Sequence, residues 1–289
     1  MTRGAAAPAA GAGTPGVEPL EGREARLRER LASLGSVIVA FSGGVDSAYL
    51  GWLATEVLGA RALCVTADSP SYPDHHRQLA LRIARDFSLH HEMVQTAELD
   101  RPEYRANPVN RCYFCKTELY TTLTALARAR GIDAIVDGNN ADDRADYRPG
   151  RAAAQEFGVL SPLDEAGLAK ADIRELSRRA GLPTWNEPAS ACLSSRIPYQ
   201  SEVTAEKLRT IEAAEAVLHE LGFRICRVRH HDTLARIELA PDEMPRAFEP
   251  AMREQLVSRL RAVGYRQVTI DLQGYRMGSL NEGLILRQA

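Results

Sequence analysis

The sequence predicts an α/β protein: a doubly wound, mostly parallel sheet within residues 21–183, then a smaller α+β domain over 184–289. Three observations carry this. Short apolar runs alternate with helical patterns from residue 37 to residue 180, the mark of βαβ units. The first run, 37–41, opens at once into Ser42-Gly-Gly-Val-Asp-Ser47 and then a helix. Near Gly181-Leu-Pro183 the composition shifts, and a strand–strand–helix–strand order follows.

The first twenty residues are rich in Ala, Gly and Pro, and Arg3 is the only basic residue before Arg23. With no sustained apolar core they read as a disordered leader and not as a secretory signal. A charged helical stretch at 21–35 precedes the sheet. Strands are then expected at 37–41, 62–67, 91–95, 134–137 and 159–160, each a short β-favouring run. Helical patterns fall between and after them at 47–58, 73–87, 115–130, 151–157 and 170–180. Residues 184–199 show little periodicity. Beyond them come a helix at 204–221, strands at 224–229 and 235–239, a helix at 244–263 and a strand at 267–272.

The loop after the first strand is an anion cradle by its chemistry. A strand that opens through Gly43 and Gly44 into a helix N-terminus points free N–H groups, and the positive end of the helix dipole, at one place. Ser42 and Ser47 add hydroxyls, and Asp46 is placed to hold Mg²⁺ against phosphate oxygens. The segments Ala67-Asp-Ser-Pro70 and Asp137-Gly-Asn-Asn140 are expected on the same rim, beyond the carboxyl ends of the strands, where such sheets bind ligands. The bland alternative is a Gly/Ser turn without a ligand. The Walker lysine and the dinucleotide G-x-G-x-x-G are both missing. The loop resembles the PP-loop of ATP pyrophosphatases, which split ATP between its α and β phosphates, so ATP is the implied ligand.

Arg111-Cys-Tyr-Phe-Cys-Lys116 places a C-x-x-C at the start of a helix, with spacing that suits a zinc half-site, a dithiol pair or part of an iron–sulfur site. A helix N-terminus, Arg111 and Lys116 are all expected to lower the thiol pKa values. Cys64 and Cys226 lie in apolar strands and read as core. Cys192, in a polar segment, is the remaining partner; three thiolates can hold a [4Fe–4S] cluster with one iron free of protein ligands. Three unrelated cysteines is the competing reading.

Arg224, Arg227, Arg229, His230, His231 and Arg236 form a basic cluster. Arg227 and Arg229 share a strand face suited to phosphate or carboxylate, Glu238 on the next strand can orient one of them, and Arg196 stands four residues past Cys192. A solvated strand face is the bland alternative. His230 and His231 face opposite ways and make a poor metal pair.

Over 289 residues, 36 basic and 38 acidic side chains leave a net charge of −2, which gives no support for bulk nucleic-acid binding. No apolar run reaches the length of a membrane span. Five cysteines without a signal peptide point to a reducing, cytoplasmic setting.

Beyond the PP-loop, four further stretches are similar to the ATP-dependent sacrificial sulfur transferase family, the LarE-like proteins. They are Asn110-Arg-Cys-Tyr-Phe-Cys-Lys116; Asp137-Gly-Asn-Asn-Ala-Asp-Asp143 with Asp146-Tyr-Arg-Pro-Gly150; Pro188-Ala-Ser-Ala-Cys-Leu-Ser-Ser-Arg-Ile-Pro-Tyr199; and Arg227-Val-Arg-His-His231 with Ala235-Arg-Ile-Glu238. The resemblance implies that ATP and Mg²⁺, with Asp46, adenylylate a carboxylate of pyridinium-3,5-biscarboxylic acid mononucleotide. Sulfur then displaces AMP at a site that includes Cys192. It implies Ser195, Arg196, Arg227, Arg229 and Glu238 as substrate-binding groups, Cys112, Cys115 and Cys192 as ligands of a [4Fe–4S] cluster, sulfide or another sulfur donor as partner, and a homo-oligomer. The rivals are a tRNA thiolase, for which a strongly basic face is expected, an amidating synthetase, which needs no cysteines, and a non-catalytic ATP- or cluster-binding regulator.

Overall fold

The computed structural model describes residues 18–144, 149–188, 191–276 and 278–281. Residues 1–17 of the expected leader, and Asp146, Tyr147, Arg148, Ala189 and Ser190 of the quoted motifs, lie outside the described residues.

The elements run α1 (Leu20–Ala32), β1 (Val37–Ala40), α2 (Val45–Leu58), β2 (Ala62–Asp68), α3 (Asp74–Asp86), β3 (His91–Gln95), α4 (Pro102–Arg105), α5 (Arg111–Arg130), β4 (Ala134–Val136), α6 (Pro149–Glu156), α7 (Pro162–Glu165) and α8 (Lys170–Arg179). They continue with α9 (Ala205–Glu220), β5 (Cys226–His231), β6 (Leu234–Leu239), α10 (Met244–Ala247), α11 (Pro250–Val263) and β7 (Gln267–Ile270).

The first sheet is parallel, in the order β3-β2-β1-β4. β1 is central and apolar on both faces because helices cover both sides. Leu27, Leu31, Leu50, Leu53 and Ile173 of α1, α2 and α8 pack on one face. Tyr120, Leu123 and Ala153 of α5 and α6 pack on the other. Strand order reverses between β1 and β4, so the carboxyl end of β1 is the switch point at which a doubly wound sheet binds ligands.

A small mixed sheet, β5-β6-β7, follows; β5 and β6 are antiparallel, β6 and β7 parallel. Helices α9 and α11 bury Leu218, Leu256 and Leu260 against it. Under the turn that carries Cys192 lies a separate apolar cluster of Tyr104, Leu193, Ile197, Val203, Leu208 and Ile211.

Three elements differ from expectation. The expected strand at 159–160 is a single parallel bridge, Val136 to Leu160, because Pro162 turns the chain into α7. The helix expected from Cys115 begins a turn earlier at Arg111, where Cys, Tyr and Phe have only modest helix propensity. The single helix expected at 244–263 divides before Pro250, which lacks the N–H that continuation requires and starts α11 instead.

Candidate functional site

The loop between β1 and α2 is shaped by glycine and closed by serine. Gly43 has φ +67°, and a Cβ there would lie 2.9 Å from the Ala80 side chain and 3.0 Å from Ala80 backbone atoms. Gly44 takes the N-cap position of α2. Ser47 Oγ accepts the Ser42 N–H at 3.1 Å and donates to the Gly44 carbonyl at 3.2 Å. Gly138 sits against the same loop, where a Cβ would be 3.1 Å from Ser47 N.

Asp46 stands in the first turn of α2 with its Oδ2 2.5 Å from Lys170 Nζ at the start of α8. Asn140 Nδ2 lies 3.5 Å from the other oxygen. Lys170 escapes sequence reasoning because 124 residues separate it from Asp46 and no local motif marks it. Asp137 is buried and accepts bonds from Tyr120 Oη (2.9 Å), Asn139 Nδ2 (2.7 Å) and Ser161 Oγ (2.8 Å), so it builds the rim. Ala67, paired with Val94, lies near the carboxyl end of β2 on that rim.

The turn after β2 joins this loop to the thiols. The Tyr72 hydroxyl donates to the Ser42 carbonyl at 3.0 Å. One residue earlier, the Ser71 carbonyl accepts the Leu193 N–H at 2.9 Å. Cys192 precedes a 3₁₀ turn, Leu193–Arg196, and its carbonyl accepts Ser195 Oγ (2.8 Å) and Arg196 Nη1 (3.1 Å). Cys112 and Cys115 occupy the first turns of α5, as the spacing requires.

The thiols are electrostatic neighbours. Desolvation pushes Cys112 up, and Cys192 adds to it; Cys115 is raised by burial, then by Glu98 and the other two sulfurs. The lowering expected from Arg111, Lys116 and the helix start is therefore not seen at these two cysteines: both are raised, the half-buried Cys115 by loss of water around its sulfur, whereas Cys112 keeps an exposed surface. Among the described residues no three His, Cys, Asp or Glu side chains stand close enough to hold one metal ion. A cubane places its thiolate ligands on different irons, so an all-cysteine donor set can suit it without converging on one point. Cys64 and Cys226 are buried as expected, with Cys64 pushed up to about 12 by desolvation.

The arginines divide by partner. Arg196 is held bidentately by Glu215 at 2.8 and 3.0 Å, and it also donates to the Ala191 carbonyl. Arg229 is held by Glu238 at 2.8 and 2.9 Å and donates to the Ser195 carbonyl at 2.6 Å. These two guanidinium groups secure the Cys192 turn from two sides. Arg227 instead donates to Tyr275 Oη at 3.0 Å and stacks on that ring at 4.6 Å. Burial, and then nearby Arg196, lowers its pKa, the signature of a desolvated cation that an anion would stabilise. Arg227 and Arg196 line a cavity of about 430 Å³ between the N-terminus of α3, the Cys192 segment, α9 and β5. His230 Nδ1 lies 2.9 Å from Tyr265 Oη while His231 is exposed, so the pair shares no ligand position.

Comparison with known proteins follows the same outline. Residues 21–109 match the NAD synthase family model. An uncharacterised protein of Synechocystis is 44% identical, covering 92% of this chain and 99% of that one. The pyridinium-3,5-bisthiocarboxylic acid mononucleotide synthase of Lactiplantibacillus plantarum is 35% identical over 92% of this chain and 96% of its own. The chain belongs to the LarE-like sulfur transferase family. A more distant match, at 25% identity, is a probable tRNA sulfurtransferase of Methanosarcina acetivorans, covering 61% of this chain and 45% of that one. The LarE-like likeness spans both sheets and includes the region of Cys112, Cys115 and Cys192, which the NAD synthase match does not reach.

Proposed function

We propose that the protein is an ATP-dependent sulfur transferase. It adenylylates the carboxylates of pyridinium-3,5-biscarboxylic acid mononucleotide with release of pyrophosphate, and converts them to thiocarboxylates for a nickel-pincer nucleotide cofactor. The observation that carries the reading is the short path from phosphate loop to thiol turn, Ser42 to Tyr72 and Ser71 to Leu193, in a chain of this family.

In this reading residues 21–183 bind nucleotide and 184–289 bind substrate. Ser42, Gly43, Gly44, Ser47, Ala67 and Asp137 form the ATP cradle. Asp46 would hold the Mg²⁺ that accompanies ATP, and Lys170, paired with it at 2.5 Å, is the cation assigned to the pyrophosphate charge. Adenylylation is needed because a carboxylate is a poor electrophile; the carboxylate oxygen attacks the α-phosphorus and pyrophosphate leaves. Anionic sulfur next attacks the acyl carbon and AMP departs. Ser195, Arg196, Arg227, Arg229 and Glu238 form the substrate region, with Arg227 the guanidinium in reach of ligand anions. In this reading Cys112, Cys115 and Cys192 would hold a [4Fe–4S] cluster, which takes all-thiolate donors. When bound, the cluster supplies an iron without a protein ligand and hence a seat for sulfide.

The test is an anaerobic assay with ATP and Mg²⁺, with and without the pyridinium dicarboxylate nucleotide. Pyrophosphate and AMP release that requires the nucleotide is the expected result. Release driven instead by tRNA supports the thiolase reading that the distant match favours, and no release under either condition supports a regulator. Cys112→Ser is expected to lose iron and repeated turnover while still binding ATP; full iron content in that variant removes the cluster from the proposal.

A further inference from the structure

Arg111 is a deeply buried cation, 3% exposed, whose partners among the described residues are neutral oxygens and a sulfur. Its Nη1 donates to Asn107 Oδ1 and to the Ser194 carbonyl at 3.0 Å. Its Nη2 points at Cys192 Sγ, 4.0 Å away. A guanidinium cannot shed its proton, so a buried one needs negative charge nearby. The groups beside it able to carry such charge are the Cys192 sulfur at which it points and the thiol of Cys112, the next residue of α5.

The same side chain is mechanical. It leaves α5 one residue before Cys112 and grips the turn that follows Cys192. Asn107, fully buried at φ 53°, completes the grip: its amide donates to the Pro198 carbonyl at 2.8 Å, and its own carbonyl accepts the Gln200 N–H at 2.9 Å. Residues 194–200 are thus held from two points four residues apart.

We propose that Arg111 is the counter-ion and positioning residue of the three-thiol centre. It meets the net negative charge of a thiolate-bound group and fixes the Cys192 turn to the helix that carries Cys112 and Cys115. The assignment rests on the sulfur-transfer reading for its charge role; the grip on the turn does not depend on it.

Two readouts on the full chain separate charge from grip. One is the reduction potential of the anaerobically reconstituted protein. The other is the rate at which Cys192 is alkylated in the iron-free protein, resolved by peptide mass spectrometry. Arg111→Gln should lower the potential, because reduction adds negative charge that no cation then offsets. Arg111→Lys keeps a charge without the fork, so it should hold the potential and still speed alkylation. Asn107→Ala should speed alkylation alone. The expected acceleration is about tenfold, from losing one hydrogen bond to a charged group. A parent-like potential in Arg111→Gln overturns the charge role, and unchanged alkylation in both Arg111→Lys and Asn107→Ala overturns the grip. If the unsubstituted protein takes up no iron, the cluster reading fails, and alkylation alone decides whether Arg111 positions the turn.

Discussion

Two constraints meet on Gly43: a positive φ and an approach of 2.9 Å to Ala80 that leaves no room for a Cβ. Gly43→Ala should therefore destabilise the fold by about 1–3 kcal/mol and abolish ATP binding. Thermal melts and calorimetric titration with ATP check the two parts; a variant that binds like the parent removes Gly43 from the cradle. Lys170 has a different standing. Its pair with Asp46 is partly exposed, at 32% and 22% for the two side chains, so Lys170→Met should cost no more than about 1 kcal/mol of stability. Pyrophosphate release should fall much further, because the ammonium proposed to meet the leaving group is lost. Equal loss of stability and activity argues against that role. The contrast shows what sequence carries. Gly43 and Asp46 are legible because strand, loop and helix are contiguous. Lys170 and Arg111 are not, because only the tertiary fold brings a lysine across 124 residues, or an arginine across 81, to its partner.

The elements that hold the thiol turn are more revealing than the sheet beneath it. Helix α9 begins at a Thr204 cap, whose Oγ1 accepts the Lys207 N–H at 3.2 Å. Its Glu215 then serves two neighbours, taking both Arg196 nitrogens and the Val228 N–H of β5 at 3.0 Å. One buried carboxylate thus ties the Cys192 turn and the small sheet to a single helix. Glu215→Ala leaves Arg196, 6% exposed, without counter-charge, and should cost about 3–5 kcal/mol. Denaturant unfolding measures this; a loss below about 1 kcal/mol sinks the account. The helix and both strands are readable from periodicity, but strand register sets Glu238 opposite Arg227 and Arg236 opposite Arg229, so the Arg229–Glu238 pair is a diagonal contact that only the fold reveals. Glu215 is not readable, because on an amphipathic helix a charged residue signals solvent and here it faces the core. The expected 244–263 helix fails for the opposite reason: its pattern is continuous, and Pro250 alone interrupts it.

At the scale of the whole molecule, histidine burial sets the acid limit of stability. His76 is lowered from 6.5 to about 4, by desolvation and then by His75 beside it. Desolvation is also the leading cause of the lowered values at His91, His230 and His231. Only His75 moves the other way, raised by its bond with Glu187. For the four lowered groups the unfolded chain binds protons first as pH falls, so stability rises with pH below 6.5 and is lost on acidification. The His75 pair has the opposite sign, favouring the fold below 6.5 and fading as pH rises through its raised value. With its imidazole 59% exposed, that pair is too screened to offset the buried His230 and the half-buried His76 and His91 rings. Carboxylates held low by partners, such as Glu187, begin to matter only as pH drops below 4.5, so the interval between 4.5 and 6.5 isolates the histidines. Unfolding midpoints should therefore decline steadily across that interval and level off above it. His76→Gln should flatten the decline, since glutamine does not titrate. A midpoint that stays constant from 6.5 to 4.5, or the same slope in the glutamine variant, rules the mechanism out.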